Sequence, residues 1–417
     1  MRKMKDSGVE WLGNVPEGWE LVQIGSLFSE HKNKNIGLQS DNLLSLSYGN
    51  IIRKDIATTD GLLPESFEGY NVIDDGDIVL RLTDLQNDQR SLRVGLSHER
   101  GIVTSAYVTL RKRDTSLNSQ YFYYLIHSYD VRKGFYGMGA GVRQGLNFTG
   151  IRKIMLTLPS ADEQSAISIF LGEKISKVDN LITNIKSQIE KLKVYKQSLI
   201  TEVATKGLNP TAPKKDSGIE WMGDIPSSWK ILRGKNVFVL LDRPTQESDE
   251  VITCFRDGEV TLRKNRREEG FTFSEKEIGY QGIEAGDLVV HGMDGFAGSI
   301  GISDSRGKAS PVLIVLDSNQ NKRYLMYYLR SLAFRDIFLA LSTGIRVRSC
   351  DLRWNKLSVL PILLPPIKEQ DEIASYIDKK IKEIDKLISI KQRKIEKLID
   401  YKKSIVYEYV TGKKEVQ

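Results

Sequence analysis

Arginine and glutamine set among glycines are the side chains of this chain whose types and spacing point most directly to chemistry. Arg81, Arg90 and Arg93 lie in the segment RLTDLQNDQRSLR, directly after the strand-like run Asp77-Ile78-Val79-Leu80. A glycine-rich stretch from Gly139 to Asn147 carries Arg143 and Gln144, and Arg152 and Lys153 follow it. Later in the chain Arg263, Lys264, Arg266 and Arg267 surround Asn265, Arg346 and Arg348 flank Val347 just after Gly344, and Arg353 comes next. A guanidinium fork matches the guanine edge and a carboxamide matches adenine. Glycine lets a loop backbone approach a phosphate with no side chain in the way. These fourteen side chains are the expected DNA contacts. Exposed loops are often basic without binding anything, so each position taken singly remains open.

Motifs for catalysis are missing. The chain has no Asn/Asp-Pro-Pro-Tyr/Phe segment of an amino-methyltransferase, no H-E-x-x-H and no G-x-S-x-G. The run GISDSRGKA, Gly301 to Ala309, has five residues between its glycines and an alanine where a phosphate loop needs a Mg²⁺-binding hydroxyl. The 4 histidines (His31, His98, His127, His291) lack ligand spacing, and the 2 cysteines, Cys254 and Cys350, form no ligand set or disulfide framework. No catalytic residue, metal site or bound cofactor is expected in this chain. A net charge of +7 with pI near 9.0 is compatible with a polyanionic partner. The apolar fraction of 40% and charged fraction of 28% are those of a globular protein. With no signal-like start and no long apolar run, the expected location is the cytoplasm.

These candidates are carried by a duplicated frame. KDSGVEWLGNVPEGWE, from Lys5, recurs as KDSGIEWMGDIPSSWK, from Lys215. Leu158-Pro159 and Glu163-Gln164 recur as Leu364-Pro365 and Glu369-Gln370. A chain built as two copies of one unit can fold around an internal approximate two-fold axis. Each copy opens with a mixed region. Asp75-Gly76 and Ala285-Gly286 read as turns into buried strands, and Ala106–Leu110 and Val312–Leu316 read as further strands. Helices begin near Tyr121 and Tyr324. These regions are α+β. Where the frames align best, the stretch after Leu80 has no close counterpart after Val290, so structure repeats while the candidate reading loops diverge.

Each copy then closes with one long helix. Ile175, Val178, Ile182, Ile185, Ile189 and Leu192 recur at steps of three and four, within a seam extended to Leu171, Tyr195, Leu199 and Val203. The second seam is Ile381, Ile384, Ile388, Ile395 and Leu398, extended to Ile377, Tyr401, Ile405 and Tyr409, with Lys391 as its break. Neither helix buries its seam alone, so the two are expected to pack together as a coiled coil. A helix of roughly 40 residues is about 60 Å long at ~1.5 Å per residue. That length suits a spacer or docking surface.

The W-x-G-x-[IV]-P-x-x-W opening, the strand with its Gly-Asp entry, the L-P-x-x-x-E-Q entry to the helix and the Thr205-Lys206-Gly207-Leu208-Asn209-Pro210 link together resemble the specificity (S, HsdS) subunit of a type I restriction–modification system. The resemblance covers essentially the whole chain. It implies two target-recognition domains, each gripping half of a split DNA site, held by two long helices lying antiparallel. It further implies two adenine-N6 methyltransferase (M) subunits using S-adenosylmethionine, and restriction/translocase (R) subunits using ATP and Mg²⁺. The corresponding boundaries are residues 1–158 and 214–364 for the recognition domains, and 159–213 and 365–417 for the helical regions. Two other readings are weaker. A scaffold without DNA binding needs no basic glycine-rich loops, and a fused restriction enzyme has no room beside the repeats.

Overall fold

The computed structural model describes residues 2–57, 66–88, 90–136, 138, 145–266, 277–341 and 352–416. Four helices organise them: α1 (Ser119–Val131), α2 (Ala161–Lys206), α3 (Lys322–Phe334) and α4 (Ile367–Val410). The chain forms two compact units, each assembled from separate stretches. The first contains Met1–Ile185 and Arg393–Gln417, and the second contains Lys186–Gln392. Each unit therefore takes part of α2 and part of α4.

In the first unit a four-stranded antiparallel sheet runs in the order Phe28–Glu30, Val108–Lys112, Ile78–Leu80, Val94–Leu96. Two-stranded pairs join Met4–Asp6 to Asn14–Pro16, Glu20–Gln23 to Met155–Leu158, Leu44–Ser47 to Asn50–Arg53, and Asn71–Ile73 to Gly101–Val103. The sequence turn at Gly76 is real, with φ of 85° leading into the Ile78–Leu80 strand. Its fully buried central strand explains an unbroken apolar run that alternation would not produce. Phe28, Leu80, Leu110, Phe122 and Leu125 pack with Leu171 of α2 and Ile405, Val406 and Val410 of α4 in one core.

The second unit repeats this set. Its sheet runs Val239–Leu240, Leu313–Asp317, Leu288–His291, Ile300–Ile302. Pairs join Lys214–Asp216 to Asp224–Pro226, Lys230–Arg233 to Pro361–Leu364, Ile252–Cys254 to Val260–Leu262, and Gln281–Ile283 to Gly307–Ala309. Its core joins the sheet and α3 to Leu199, Ile200 and Val203 of α2 and Ile373 and Ile377 of α4. The α+β class expected from sequence is what the chain adopts.

Both long helices start two residues beyond a proline, Pro159 or Pro365. Ser160 and Glu163 open α2 with a capping arrangement, the Glu163 N–H donating to the Ser160 hydroxyl at 3.3 Å. Just past the helix ends, Gly207 and Gly412 take φ of 78° and 70°, the left-handed position that glycine fills without strain. Within each unit the helices run antiparallel. In the first, Lys402 pairs with Asp179 at 2.8 Å and the Phe170 and Tyr409 rings lie 4.6 Å apart. In the second, Lys196 pairs with Asp385 at 2.7 Å and Lys391 donates to the Gln188 carboxamide at 2.6 Å.

The seam corrects the sequence reading at two positions. Val178, Ile182, Ile189, Ile384 and Ile395 are buried, and Ile175, Leu192, Ile381, Ile388 and Leu398 are half-buried. Tyr195 and Tyr401, expected in the seam, are instead 54% and 49% exposed. The apolar stripe of a straight helix drifts relative to a seven-residue repeat. Lys196 and Lys402 rotate inward in their place and find the carboxylates of Asp385 and Asp179.

Candidate nucleic-acid interface

The framework of each unit is pinned by the residues that repeat. Trp19 Nε1 donates to Glu163 Oε2 at 3.1 Å, and Trp229 Nε1 donates to Glu369 Oε2 at 3.0 Å. The adjacent glutamines, both buried, tie the start of a long helix to the start of α1 or α3. Asn118 N–H donates to Gln164 Oε1 and Asn321 N–H donates to Gln370 Oε1, each at 3.0 Å. Each carboxamide in turn donates to its proline carbonyl, Pro159 or Pro365, at 2.9 Å. Buried tyrosines hold the helix ends: the hydroxyl of Tyr121 donates to Val410 O at 2.9 Å and that of Tyr324 to Ala204 O at 3.2 Å. Gly207 lies so close to Trp229 that an added Cβ would stand 3.1 Å from its ring. The sequence motifs flagged all these segments, but not that they meet in one joint per unit.

Above this frame the candidate contacts fall into distinct environments. Arg93 is not a surface contact: its side chain is fully buried. Its guanidinium donates to the carbonyls of Arg81 at 3.4 Å, Thr83 at 2.6 Å and Asp84 at 3.3 Å, to that of Asp88, and to the Tyr136 hydroxyl at 3.3 Å. It braces the loop that carries the other candidates, a role a sequence of charges cannot announce. Arg81 is half-buried with Asp88 3.9 Å away, while Arg90, Arg152 and Lys153 are exposed. In the second unit Lys264 reaches Glu250 at 2.8 Å, and Arg266 meets Asp257 at 2.8 Å and Glu259 at 3.0 Å while covering the Phe255 ring. Arg263 is half-buried, 3.4 Å from the Thr253 hydroxyl, and Arg353 is exposed at the start of a short helix, Trp354–Leu357. Arg143, Gln144, Arg267, Arg346 and Arg348 lie outside the described residues.

Other titratable groups serve structure. Asp77, from the Gly-Asp turn, accepts from Arg111 Nε at 2.9 Å, and Asp74 accepts from the same guanidinium at 2.7 Å. His31 brings a ring nitrogen within 4.8 Å of those carboxylates. With Arg111 already engaging both acids, the cluster is an ion-pair network. In the second unit Asp287 is held by Arg243 instead. Burial pushes the Cys254 thiol up to about 12, which leaves it an inert core side chain. No helix among the described residues is long and apolar enough to cross a membrane.

No protein-family model matches the chain. Curated relatives do. The chain is 26% identical over 226 residues to the type I restriction enzyme MjaVIII specificity subunit of Methanocaldococcus jannaschii, an alignment covering 54% of this chain and 50% of that protein. It therefore spans about half the length of this relative. It is 23% identical to the putative type I restriction enzyme MjaX specificity subunit of the same organism, over 97% of this chain and 96% of that one. Among solved structures, a chain from work on complex assembly and conformational transition of the type I R-M system superposes with a TM-score of 0.60 at 15% identity, covering 95% of this chain and 98% of that one. The HsdS subunit from Thermoanaerobacter tengcongensis gives 0.50 at 14% identity, with the same coverage. In sequence and in fold, the chain is related to the specificity subunits of type I restriction enzymes.

Proposed function

We propose that this chain is the DNA-specificity subunit of a type I restriction–modification complex and carries no catalysis of its own. Each unit reads one half of a bipartite target. The paired α2 and α4 act as an antiparallel coiled coil about an internal two-fold axis, and set the gap between the halves. Two adenine-N6 methyltransferase subunits, using S-adenosylmethionine, dock on this scaffold, and restriction/translocase subunits join with ATP and Mg²⁺. The observation that carries the reading is a repeated frame bearing unlike loops. Both units share the same sheet order and the same Trp–Glu and Gln–Pro joint, yet Arg81–Arg93 in one has no counterpart in the other. A pair of homologous frames with different surfaces is what two different half-sites require.

The test is a domain exchange. Replacing residues 20–155 by the matching segment of a relative, with partner subunits present, should change one half of the methylated motif and leave the other intact. Changes in both halves, or in neither, would sink the modular reading. The purified chain alone should show no methyltransferase, nuclease or ATPase activity, and methylation should appear once methyltransferase subunits are added.

A further inference from the structure

A hollow of about 790 Å³ opens in the first unit beneath the tip of the Leu44–Ser47/Asn50–Arg53 hairpin. Its floor is apolar, with Leu92, Ile182 and Val406 among the lining side chains. One wall is aromatic: Tyr123 and His127 stack with ring centroids 5.5 Å apart and planes 24° from parallel. Its rim carries Arg90, Lys133, Lys402 and Lys403, of which Lys402 pairs with the lining acid Asp179 at 2.8 Å and Lys403 with Asp400 at 3.2 Å. Burial, reinforced by the Lys402 charge, pushes His127 down to about 4, so its ring is neutral at physiological pH.

The hairpin tip adds an independent sign. Tyr48 and Gly49 both have positive φ, 45° and 81°. A two-residue turn of this kind favours Asn or Gly at its first position, and tyrosine there is strained. Burial does not offset the strain, because Tyr48 is 72% exposed. The Tyr123 hydroxyl donates to Gly49 O at 3.2 Å and holds this strained turn at the mouth of the hollow. An exposed aromatic ring kept in an unfavourable backbone conformation beside an aromatic wall is poised to stack on something.

We propose that the hollow takes one mononucleotide unit, its heterocycle stacked between Tyr48 and the Tyr123–His127 wall and its phosphate at the Arg90 and Lys403 rim. Ligand cavities span roughly 300–1,000 Å³, and aromatic stacking with a basic rim is the common chemistry of nucleotide capture. The nucleotide has two sources, a free nucleotide or one swung out of a DNA strand. The first goes beyond the half-site reading, and the second rests on it.

Titration calorimetry on the full-length chain with AMP, adenosine and inorganic phosphate tests the first source. Anisotropy with a duplex bearing one bulged adenine, against the perfect duplex, tests the second. A free-nucleotide site binds AMP about ten-fold more tightly than adenosine or phosphate, and loses about ten-fold in Tyr48→Gly and in Arg90→Ala. A DNA-borne site instead prefers the bulged duplex about ten-fold, and Tyr48→Gly abolishes the preference. Glycine relieves the turn, so Tyr48→Gly should melt about 2–4 °C higher than the parent while binding less. No preference for AMP over its parts together with none for the bulge would overturn the proposal. So would unchanged binding by Tyr48→Gly, or a fall in its melting temperature.

Discussion

Trp19 donates its indole N–H to the carboxylate of Glu163, 144 positions further along the chain, at 3.1 Å. The two residues belong to different motifs, the opening repeat and the entry to α2. Trp229 and Glu369 repeat the bond at 3.0 Å. The long-range match in sequence is therefore a match in fold: what recurs is the joint between the α+β body and the helices.

The glutamine of that joint should be sensitive to replacement. Gln370 is fully buried, accepts from Asn321 N–H, and donates to Pro365 O and the Gln320 carboxamide. Gln370→Leu keeps much of the volume and strands those partners. The expected loss is about 2–4 kcal/mol in urea unfolding of the intact chain. A loss under about 0.5 kcal/mol would show that water replaces the carboxamide.

Arg93 separates bracing from DNA contact. Arg93→Ala removes four carbonyl partners and a buried side chain, and should lower stability by about 3 kcal/mol. Arg152→Ala, at an exposed site, should leave the melting temperature unchanged. If Arg152 touches phosphate, that variant lowers DNA affinity at every sequence and reduces the salt slope by about one.

Two buried groups oppose each other in acid. Burial pushes the Asp130 carboxyl up to about 6, against the pull of the Arg93 N–H and nearby cations, while His127 is pushed down to about 4. Between about pH 4 and 6 the folded state binds the Asp130 proton more tightly than the unfolded chain does, so this group makes stability fall as pH rises. His127 binds its proton less tightly when folded and makes stability rise over about pH 4 to 6.5. The contributions, each up to roughly 1.4 kcal/mol per pKa unit, nearly cancel. Urea midpoints at several pH values should be flat for the parent, rise with pH in Asp130→Asn and fall with pH in His127→Phe. Parallel curves for all three would show that neither group titrates in this window.

The inward-turned lysines pair with carboxylates across the two long helices, at Asp385 and Asp179. Lys402–Asp179 and Lys196–Asp385 are half-exposed pairs, so each should contribute only about 0.2–1 kcal/mol in a double-mutant cycle. The charge-swapped double variant, Lys402→Asp combined with Asp179→Lys, should restore most of what either single change loses. A cycle with zero coupling would place the pair outside the register-setting contacts.

If the helices set the half-site gap, lengthening them should widen it. Ala204 is a poor insertion point, being buried with its carbonyl accepting from Tyr324. Four residues added after Lys186 and four after Gln392 extend both helices by about 6 Å and turn them little more than once. DNA advances about 3.4 Å per base pair, so the gap should grow by one or two pairs with both half-sites unchanged. Sequencing methylated sites decides it: an active enzyme with the original gap means the helices are not the ruler.

Much of this was legible in the sequence because repetition marks what a fold cannot vary. The strand runs after Gly76 and Gly286, the helix starts near Tyr121 and Tyr324, and the two long helices all form where the pattern placed them. Periodicity erred at Tyr195 and Tyr401, since apolar spacing cannot tell which face a drifting stripe turns outward. Charge alone could not separate Arg93, whose partners are backbone carbonyls, from Arg90, which is exposed. Tyr48 left no signal at all, because its peculiarity is a backbone angle.

The two Gly-Asp turns solve one electrostatic problem from opposite sides. Asp77 takes its arginine from the strand Val108–Lys112, whereas Asp287 takes Arg243 from the chain beyond the edge strand Val239–Leu240. By sheet register, the position of Arg111 in the first unit is held in the second by Asp317. A recombinant that moved only the Leu313–Asp317 strand into the first unit would set a carboxylate beside Asp77 and remove its counter-ion. Exchange of that one strand parts the acid from its arginine, whereas exchange of a whole unit carries the two together. Exchanges between such units should be tolerated only where the breakpoints fall outside the sheet.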